Sequence, residues 1–279
     1  MQKFKSICFI GGGSWGQALA ITLARSGIKS SILVSDEKRM MILNKNKSSC
    51  FKDLKFPNHI DAFQNKQNLK NYDLIFITTE SFRVKKTLNS IYKINPNSNV
   101  IITSKGFANL KGQTFPEIIL QKYPKLVFGV LTGPTFADEV AKNLPAAALI
   151  ASRNKILAKS LSQLFFQSSL RLYLSDDTIG SSIAGAIKNI IAIGAGISDG
   201  LKLGDNAKAG LITRGIEETR RIIEACGGKK ETAFGLAGVG DMTLTCSTPH
   251  SRNMKYGMDL VKNKKINDQV LVEGVYALK

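Results

Sequence analysis

A lysine set in a long apolar stretch is the first residue that could do chemistry. Lys188 stands in Gly185-Ala186-Ile187-Lys188-Asn189, and the apolar run continues to Gly196. Ile187, Ile190, Ile191 and Gly194 recur at helical spacing, which predicts a helix with one face toward a core. Two readings of Lys188 stand: a side chain that snorkels to water, or one held in a cleft. In a cleft, burial would lower its pKa and suit it to proton transfer. Ser251-Arg252-Asn253 offers a hydroxyl, a planar guanidinium fork and an amide, a set suited to a phosphate monoester. The alternative there is a helix capped by Ser251 with Arg252 exposed. Gly235 to Asp241 reads as a glycine-rich loop ending in an acid. Both histidines, His59 and His250, fall in loops, so lysine is the better candidate for acid–base work.

The elements that would position these groups begin with a glycine turn. Lys5 to Ile10 reads as a buried strand and Gln17 to Arg25 as a helix closed by Gly27, with Gly11-Gly12-Gly13-Ser14-Trp15-Gly16 between. This is GxGxxG with a strand before it and a helix after it. Gly11 permits the tight turn, Gly13 lets the backbone approach a pyrophosphate, and Gly16 lets helix and strand pack closely. The N–H groups of the helix start would hold the anion. Ser30 to Val34 predicts a second strand ending at Ser35-Asp36. Asp36 is near the usual ribose-reading position, where an acid favours NAD. It is equally placed to cap the next helix. In that case Ser35, with Lys38 and Arg39, would accommodate a 2′-phosphate.

Further strands are expected over Asp73–Thr78, Asn99–Thr103, Lys125–Leu131, Pro145–Ala151 and Ser169–Leu174, with helices over Phe82–Ile94 and Lys155–Phe166. Ligands of open α/β sheets lie beyond the carboxyl ends of strands, so Lys105 and the Gly133-Pro134 turn are expected to line one cleft. Either is also explained as ordinary loop or helix-start chemistry. From Asp177 onward the signals are helical. The expected architecture is a Rossmann-like, mostly parallel α/β sheet domain over 1–176, followed by an all-helical domain over 177–279.

Composition bounds the function. The chain has 279 residues, 43% hydrophobic and 22% charged, with a formal charge of +18. That charge favours anionic ligands, but the lysines are scattered, with no basic run and no interleaved aromatics, which argues against nucleic acid. Cys8, Cys50, Cys226 and Cys246 form no zinc spacing and no CxxC pair, so no metal is expected. Cys8 and Cys226 sit among apolar residues and are expected to be buried thiols. Free cysteines, with no signal peptide and no apolar span long enough to cross a bilayer, fit a cytoplasmic protein.

The motifs taken together resemble those of bacterial-type NAD(P)-dependent glycerol-3-phosphate dehydrogenase. They run in order from Gly11–Gly16 through Ser104-Lys105-Gly106, Gly133-Pro134-Thr135-Phe136-Ala137 and Ile187-Lys188-Asn189. They continue through Asp199-Gly200, Thr213-Arg214-Gly215, Gly238–Asp241 and Ser251-Arg252-Asn253 to Val272-Glu273-Gly274. The resemblance implies that Lys188 is the catalytic proton donor and acceptor. It implies substrate contacts at Lys105, Gly133, Thr135, Lys188, Asp241, Ser251, Arg252 and Asn253. It implies cofactor contacts at Ser14, Trp15, Ser35, Lys105, Ala137, Arg252, Leu271 and Glu273. The implied reaction is reversible reduction of dihydroxyacetone phosphate to sn-glycerol 3-phosphate, which supplies glycerophospholipid synthesis. NADP or NAD would serve, with NADPH favoured because the family's ribose-facing position aligns with Ser35. A homodimer is compatible with the family. The other readings are a related dehydrogenase on another small phosphorylated or acyl substrate, or a non-catalytic NAD(P)-binding regulator. Two departures stand out: Thr79-Glu80 replaces the usual Pro-Ser, and the sequence stops soon after Gly274, where the family continues.

Overall fold

The computed structural model describes residues 2–54, 56–262 and 272–278. The chain forms two compact units. The first comprises residues 1–104, 118–131 and 135–176; the second comprises 105–117, 132–134 and 177–279. Two segments from within the 1–176 span thus pack with the helical part of the chain, and one of them begins with Lys105.

The first unit is built on eight strands: β1 (Ile7–Ile10), β2 (Ser30–Leu33), β3 (Ile60–Phe63), β4 (Leu74–Ile77), β5 (Asn99–Ile102), β6 (Val127–Thr132), β7 (Ala146–Ala151) and β8 (Leu170–Ser175). Their order across the sheet is β3-β2-β1-β4-β5-β6-β7-β8. The pairings from β3 through to β6, and that of β7 with β8, are parallel. Strands β1, β4 and β5 are buried along their whole length, which is why they read as continuous apolar runs. Phe9 of β1 stacks on Phe76 of β4 at 4.8 Å between ring centroids, and Phe165 meets Phe76 edge-on. Chain order reverses at β1, whose neighbours are β2 and β4. In open α/β sheets a ligand crevice forms at such a point.

Strand β3 was not expected from the sequence. It is an edge strand of four residues whose Asp61 points to solvent, so its apolar alternation is too short to register. Helices α1 (Ser14–Arg25), α2 (Glu37–Asn44), α3 (Ser81–Ile94), α4 (Phe115–Lys122), α5 (Ala137–Ala141) and α6 (Lys155–Leu164) connect the strands.

The second unit is organised on α7 (Thr178–Gly200), against which α8 (Asp205–Ala225), α9 (Asp241–Ser247), α10 (Arg252–Val261) and α11 (Glu273–Leu278) all pack. Its start is fixed by Asp177. One carboxylate oxygen accepts from Gly180 N at 2.8 Å; the other accepts from Lys229 N at 2.9 Å and Thr232 Oγ1 at 2.6 Å. A cap of this kind contributes about 1 kcal/mol. Helices α7 and α10 touch backbone to backbone, because a Cβ at Gly257 would collide with Ile193 O and one at Gly196 with Met254 O. The expected single apolar face of α7 is corrected: Gly180 to Asn189 are all buried, while Ile190, Ile191 and Gly194 are only half-buried. Enclosure by four helices, not by one core face, accounts for its apolar composition.

By length and composition α7 could cross a membrane, but 78% of its most apolar window is buried inside the protein, so it is a core helix. All four cysteines are free. Cys8 and Cys246 are buried, but Cys226 is exposed, because it caps the end of α8 and lies past the packed part of that helix.

Candidate active site

The glycine turn lies at the carboxyl end of β1. Gly11 has φ +117°, a conformation that a side chain would strain, and Gly11 O accepts from Thr78 Oγ1 at 2.9 Å. A Cβ at Gly16 would collide with Gly11 O, so turn and helix are in contact there. A Cβ at Gly13 would meet nothing within 4 Å. Gly13 is the N-cap of α1, it has no side chain to cap that end, and the first helical turn carries no acid. The helix start therefore has neither a capping side chain nor an acid and borders open space at Gly13, a setting that suits an anion. Ser14 is exposed; Trp15 is half-buried and packs on the sheet core. Ala137 opens α5, which packs on α1.

Of the two roles open to Asp36, the structure shows the cap: its Oδ1 accepts from Lys38 N at 3.0 Å at the start of α2. Ser35 is exposed beside it. The Arg39 stem lies against the turn, its Cδ 3.0 Å from where a Gly12 Cβ would stand. Glu80 pairs with Arg83 at 3.3 Å.

The second unit holds a buried acid between two lysines. Asp241 opens α9 and is 1% exposed. Within Gly235 to Asp241, expected as a glycine-rich loop, Leu236–Gly240 is instead a π-helical turn that runs into α9, with Gly240 N donating to Gly235 O at 3.1 Å. That turn leads directly into the backbone of Asp241. Asp241 Oδ1 lies 3.0 Å from Lys188 Nζ, and Oδ2 lies 2.5 Å from Lys105 Nζ. Lys105 also donates to Gly133 O at 3.0 Å. Lys188, 7% exposed, donates to Thr245 Oγ1 at 2.8 Å. Thr245 in turn donates to Asp241 O, one helical turn back, at 2.6 Å.

Burial pulls the Lys188 pKa down to about 8, against the raising effect of Asp241 and with a smaller lowering effect of Lys105. Burial alone would raise the Asp241 pKa. The two ammonium groups outweigh it, and the carboxylate is held ionised below its usual range. Thr132 Oγ1, at the end of β6 and near Gly185, is a buried hydroxyl with no hydrogen-bond partner among the described residues. The cluster therefore presents a lysine that can gain or lose a proton near neutral pH, held in place by a permanent anion.

The three residues at the start of α10 separate. Ser251 is the N-cap, its Oγ accepting from Met254 N at 3.3 Å; Arg252 is exposed. Asn253 is buried and engaged at both ends of its amide. Its Nδ2 donates to Asn189 Oδ1 at 2.9 Å, and its Oδ1 accepts from Gly274 N at 2.9 Å. Asn189 Nδ2 donates onward to Lys105 O at 3.3 Å. This relay ties Lys105, α7, α10 and Gly274 together, with Glu273 opening α11 beside it. Thr135 is half-buried after the Gly133 turn; Leu271 lies outside the described residues. Thr245 was missed from sequence, although its spacing of one helical turn from Asp241 was a usable signal.

A mostly parallel sheet with a glycine turn at its switch point, together with a helical unit carrying a buried lysine and acid, is the build of a two-unit nicotinamide-dinucleotide dehydrogenase. The family model described as NAD-dependent glycerol-3-phosphate dehydrogenase N-terminus matches residues 6–158, and the corresponding C-terminus model matches 177–279. The chain belongs to the NAD-dependent glycerol-3-phosphate dehydrogenase family. It is 36% identical to the glycerol-3-phosphate dehydrogenase (NAD(P)+) of Clostridium tetani, over 99% of this chain and 81% of that protein. It is also 36% identical to the enzyme of the same name from Fusobacterium nucleatum, over 98% and 85% respectively. The crystal structure of glycerol-3-phosphate dehydrogenase from Coxiella burnetii superposes with a TM-score of 0.90 at 34% identity, covering 98% of this chain and 86% of that one.

Proposed function

We propose that this chain catalyses the reversible reduction of dihydroxyacetone phosphate to sn-glycerol 3-phosphate, with Lys188 as the proton donor and acceptor. The observation that carries the reading is the buried Lys188, its pKa near 8, between Asp241 and Thr245. The glycine turn of Gly11, Gly13, Ser14 and Gly16 would hold the dinucleotide pyrophosphate, with Ser35 and Arg39 nearest the ribose. When bound, the nicotinamide supplies the hydride that reaches carbon 2.

Lys188 does the rest of the bond-making chemistry. As negative charge grows on the carbonyl oxygen, the ammonium stabilises it and then gives up a proton to form the hydroxyl. The neutral amine is reprotonated from water. In the oxidation the amine takes that proton back. Asp241 orients Lys188 and keeps it cationic up to about pH 8, while Lys105 holds the other carboxylate oxygen. Arg252, the exposed cation at the start of α10, takes the phosphate of the substrate. Gly133 and Thr135 would contact the substrate backbone.

Asp36 is spent on a helix cap, so NADPH is the preferred dinucleotide with NADH accepted. A cytoplasmic location and a homodimer belong to the same reading, and the product feeds glycerophospholipid synthesis. The test is oxidation of NADPH and of NADH by the purified protein with dihydroxyacetone phosphate, beside unphosphorylated dihydroxyacetone. Turnover with the phosphate ester alone supports the reading. Equal turnover with both, or with neither, overturns it.

A further inference from the structure

We propose that Gln17 is a positioning residue that orients the glycine turn toward the dinucleotide pyrophosphate. The proposal rests on the cofactor reading above and adds a residue that no spacing rule assigns. Gln17 follows Gly16 on α1 and is 0% exposed, an unusual place for a glutamine. Its Nε2 donates to Gly12 O at 2.7 Å and to Ser49 Oγ at 2.7 Å, with Cys50 Sγ at 3.1 Å. Its Oε1 accepts from Ser48 Oγ at 2.6 Å. Ser48 Oγ accepts in turn from Phe51 N at 2.8 Å and Cys50 N at 3.1 Å. One buried amide thus clamps the 48–51 loop to the turn.

The consequence follows from peptide geometry. In a trans peptide the C=O and the N–H point to opposite sides. Gln17 pulls Gly12 O inward, so the N–H of Gly13 must face outward. A Cβ built at Gly13 would meet nothing within 4 Å, so there is open space beside that residue. Gln17 therefore decides whether the first free donor of the anion site points at its ligand or away from it. Without that grip, Gly12 O keeps only the long contact from the Cys50 thiol at 4.0 Å, and the peptide gains by rotating.

The test uses Gln17→Met, which keeps the volume and removes the amide, with Gln17→Leu as a second variant. Dinucleotide affinity is read from the fluorescence of Trp15, the one tryptophan of the chain, which lies in the turn itself. Loss of the short hydrogen bond to Gly12 O predicts NADPH Kd and KM raised about tenfold. At saturating NADPH, kcat and the KM for dihydroxyacetone phosphate should stay within about twofold. Thr22→Val is the control. It removes the buried hydroxyl bond to Ala18 O, 2.8 Å long on the same helix, and should lower stability without moving NADPH affinity. Unchanged NADPH affinity in a folded Gln17 variant overturns the proposal. So does equal weakening by Thr22→Val, or failure of both Gln17 variants to fold, since each would make Gln17 a prop of the fold alone. A parent protein that binds no dinucleotide would instead sink the proposed function.

Discussion

Asp241→Asn is the perturbation whose effect can be worked out furthest. The carboxylate stands 3.0 Å from Lys188 Nζ in a site almost closed to solvent. At an effective dielectric constant of about 20, a charge pair at that distance is worth about 5 kcal/mol. Half of that, allowing for relaxation and water entry, corresponds to a fall of ~2 units in the Lys188 pKa. The starting value is about 8, so the variant would titrate near ~6. The proton donor must be charged for the reduction. At pH ~7.5 the charged fraction then drops from about three-quarters to a few per cent, a loss of ~25-fold in kcat/KM. Activity should return as pH is lowered toward ~5.5, which a merely misfolded variant would not show. For the oxidation the sign is reversed: the neutral amine is the base, and the variant keeps it neutral to lower pH. The assay is the pH profile of kcat/KM for dihydroxyacetone phosphate, followed by loss of reduced dinucleotide. An inflection that stays near about 8 in a folded Asp241→Asn protein would refute the claim that this carboxylate sets the lysine's protonation.

Arg252→Lys keeps the charge but loses the planar fork, so the KM for dihydroxyacetone phosphate should rise ~10-fold. An unchanged KM would leave Arg252 as an exposed helix-start residue only. Asp36→Asn should change neither stability nor the NADPH-to-NADH ratio by more than about threefold, because Asn caps α2 as well as Asp does. A strong NADH preference that moves toward NADPH in this variant would put the Asp36 carboxylate on the ribose. Gly257→Ala forces a methyl group into Ile193 O, where α10 crosses α7, and should destabilise the protein by ~2 kcal/mol. Thermal unfolding checks this, and an unshifted Tm would show that the two helices can part without cost.

What the sequence disclosed, and what it did not, follows from the range of the interactions involved. The glycine turn was legible because its three glycines fall within six residues: Gly11 takes φ +117°, Gly13 borders open space and Gly16 packs on Gly11 O, although Gly11 and Gly16 also meet the distant Thr78. The central strands were legible because burial on both faces leaves an unbroken apolar run. Strand β3 was not, since an edge strand with Asp61 facing water carries only two buried residues. The meeting of Lys105, Lys188 and Asp241 is a tertiary event that no local pattern encodes; only the family resemblance grouped the three residues. Asn253 shows the same limit. Its amide suggested a ligand contact, and the structure adds partners from distant parts of the chain, Asn189 on its nitrogen and Gly274 on its oxygen, that the sequence did not disclose. Gln17 was read as an ordinary helix residue, because nothing in its neighbours along the chain announces the 48–51 loop that it grips.

The most direct test of the central claim is the rate of Lys188→Ala under saturating dihydroxyacetone phosphate and NADPH, measured beside its NADPH affinity. With Lys188 as the proton donor, kcat should fall by ~10²–10⁴ while NADPH binding persists, because the substitution deletes the donor and leaves the glycine turn untouched. A folded variant whose kcat stays within about threefold of the parent would contradict that role, and the proton would have to come from elsewhere.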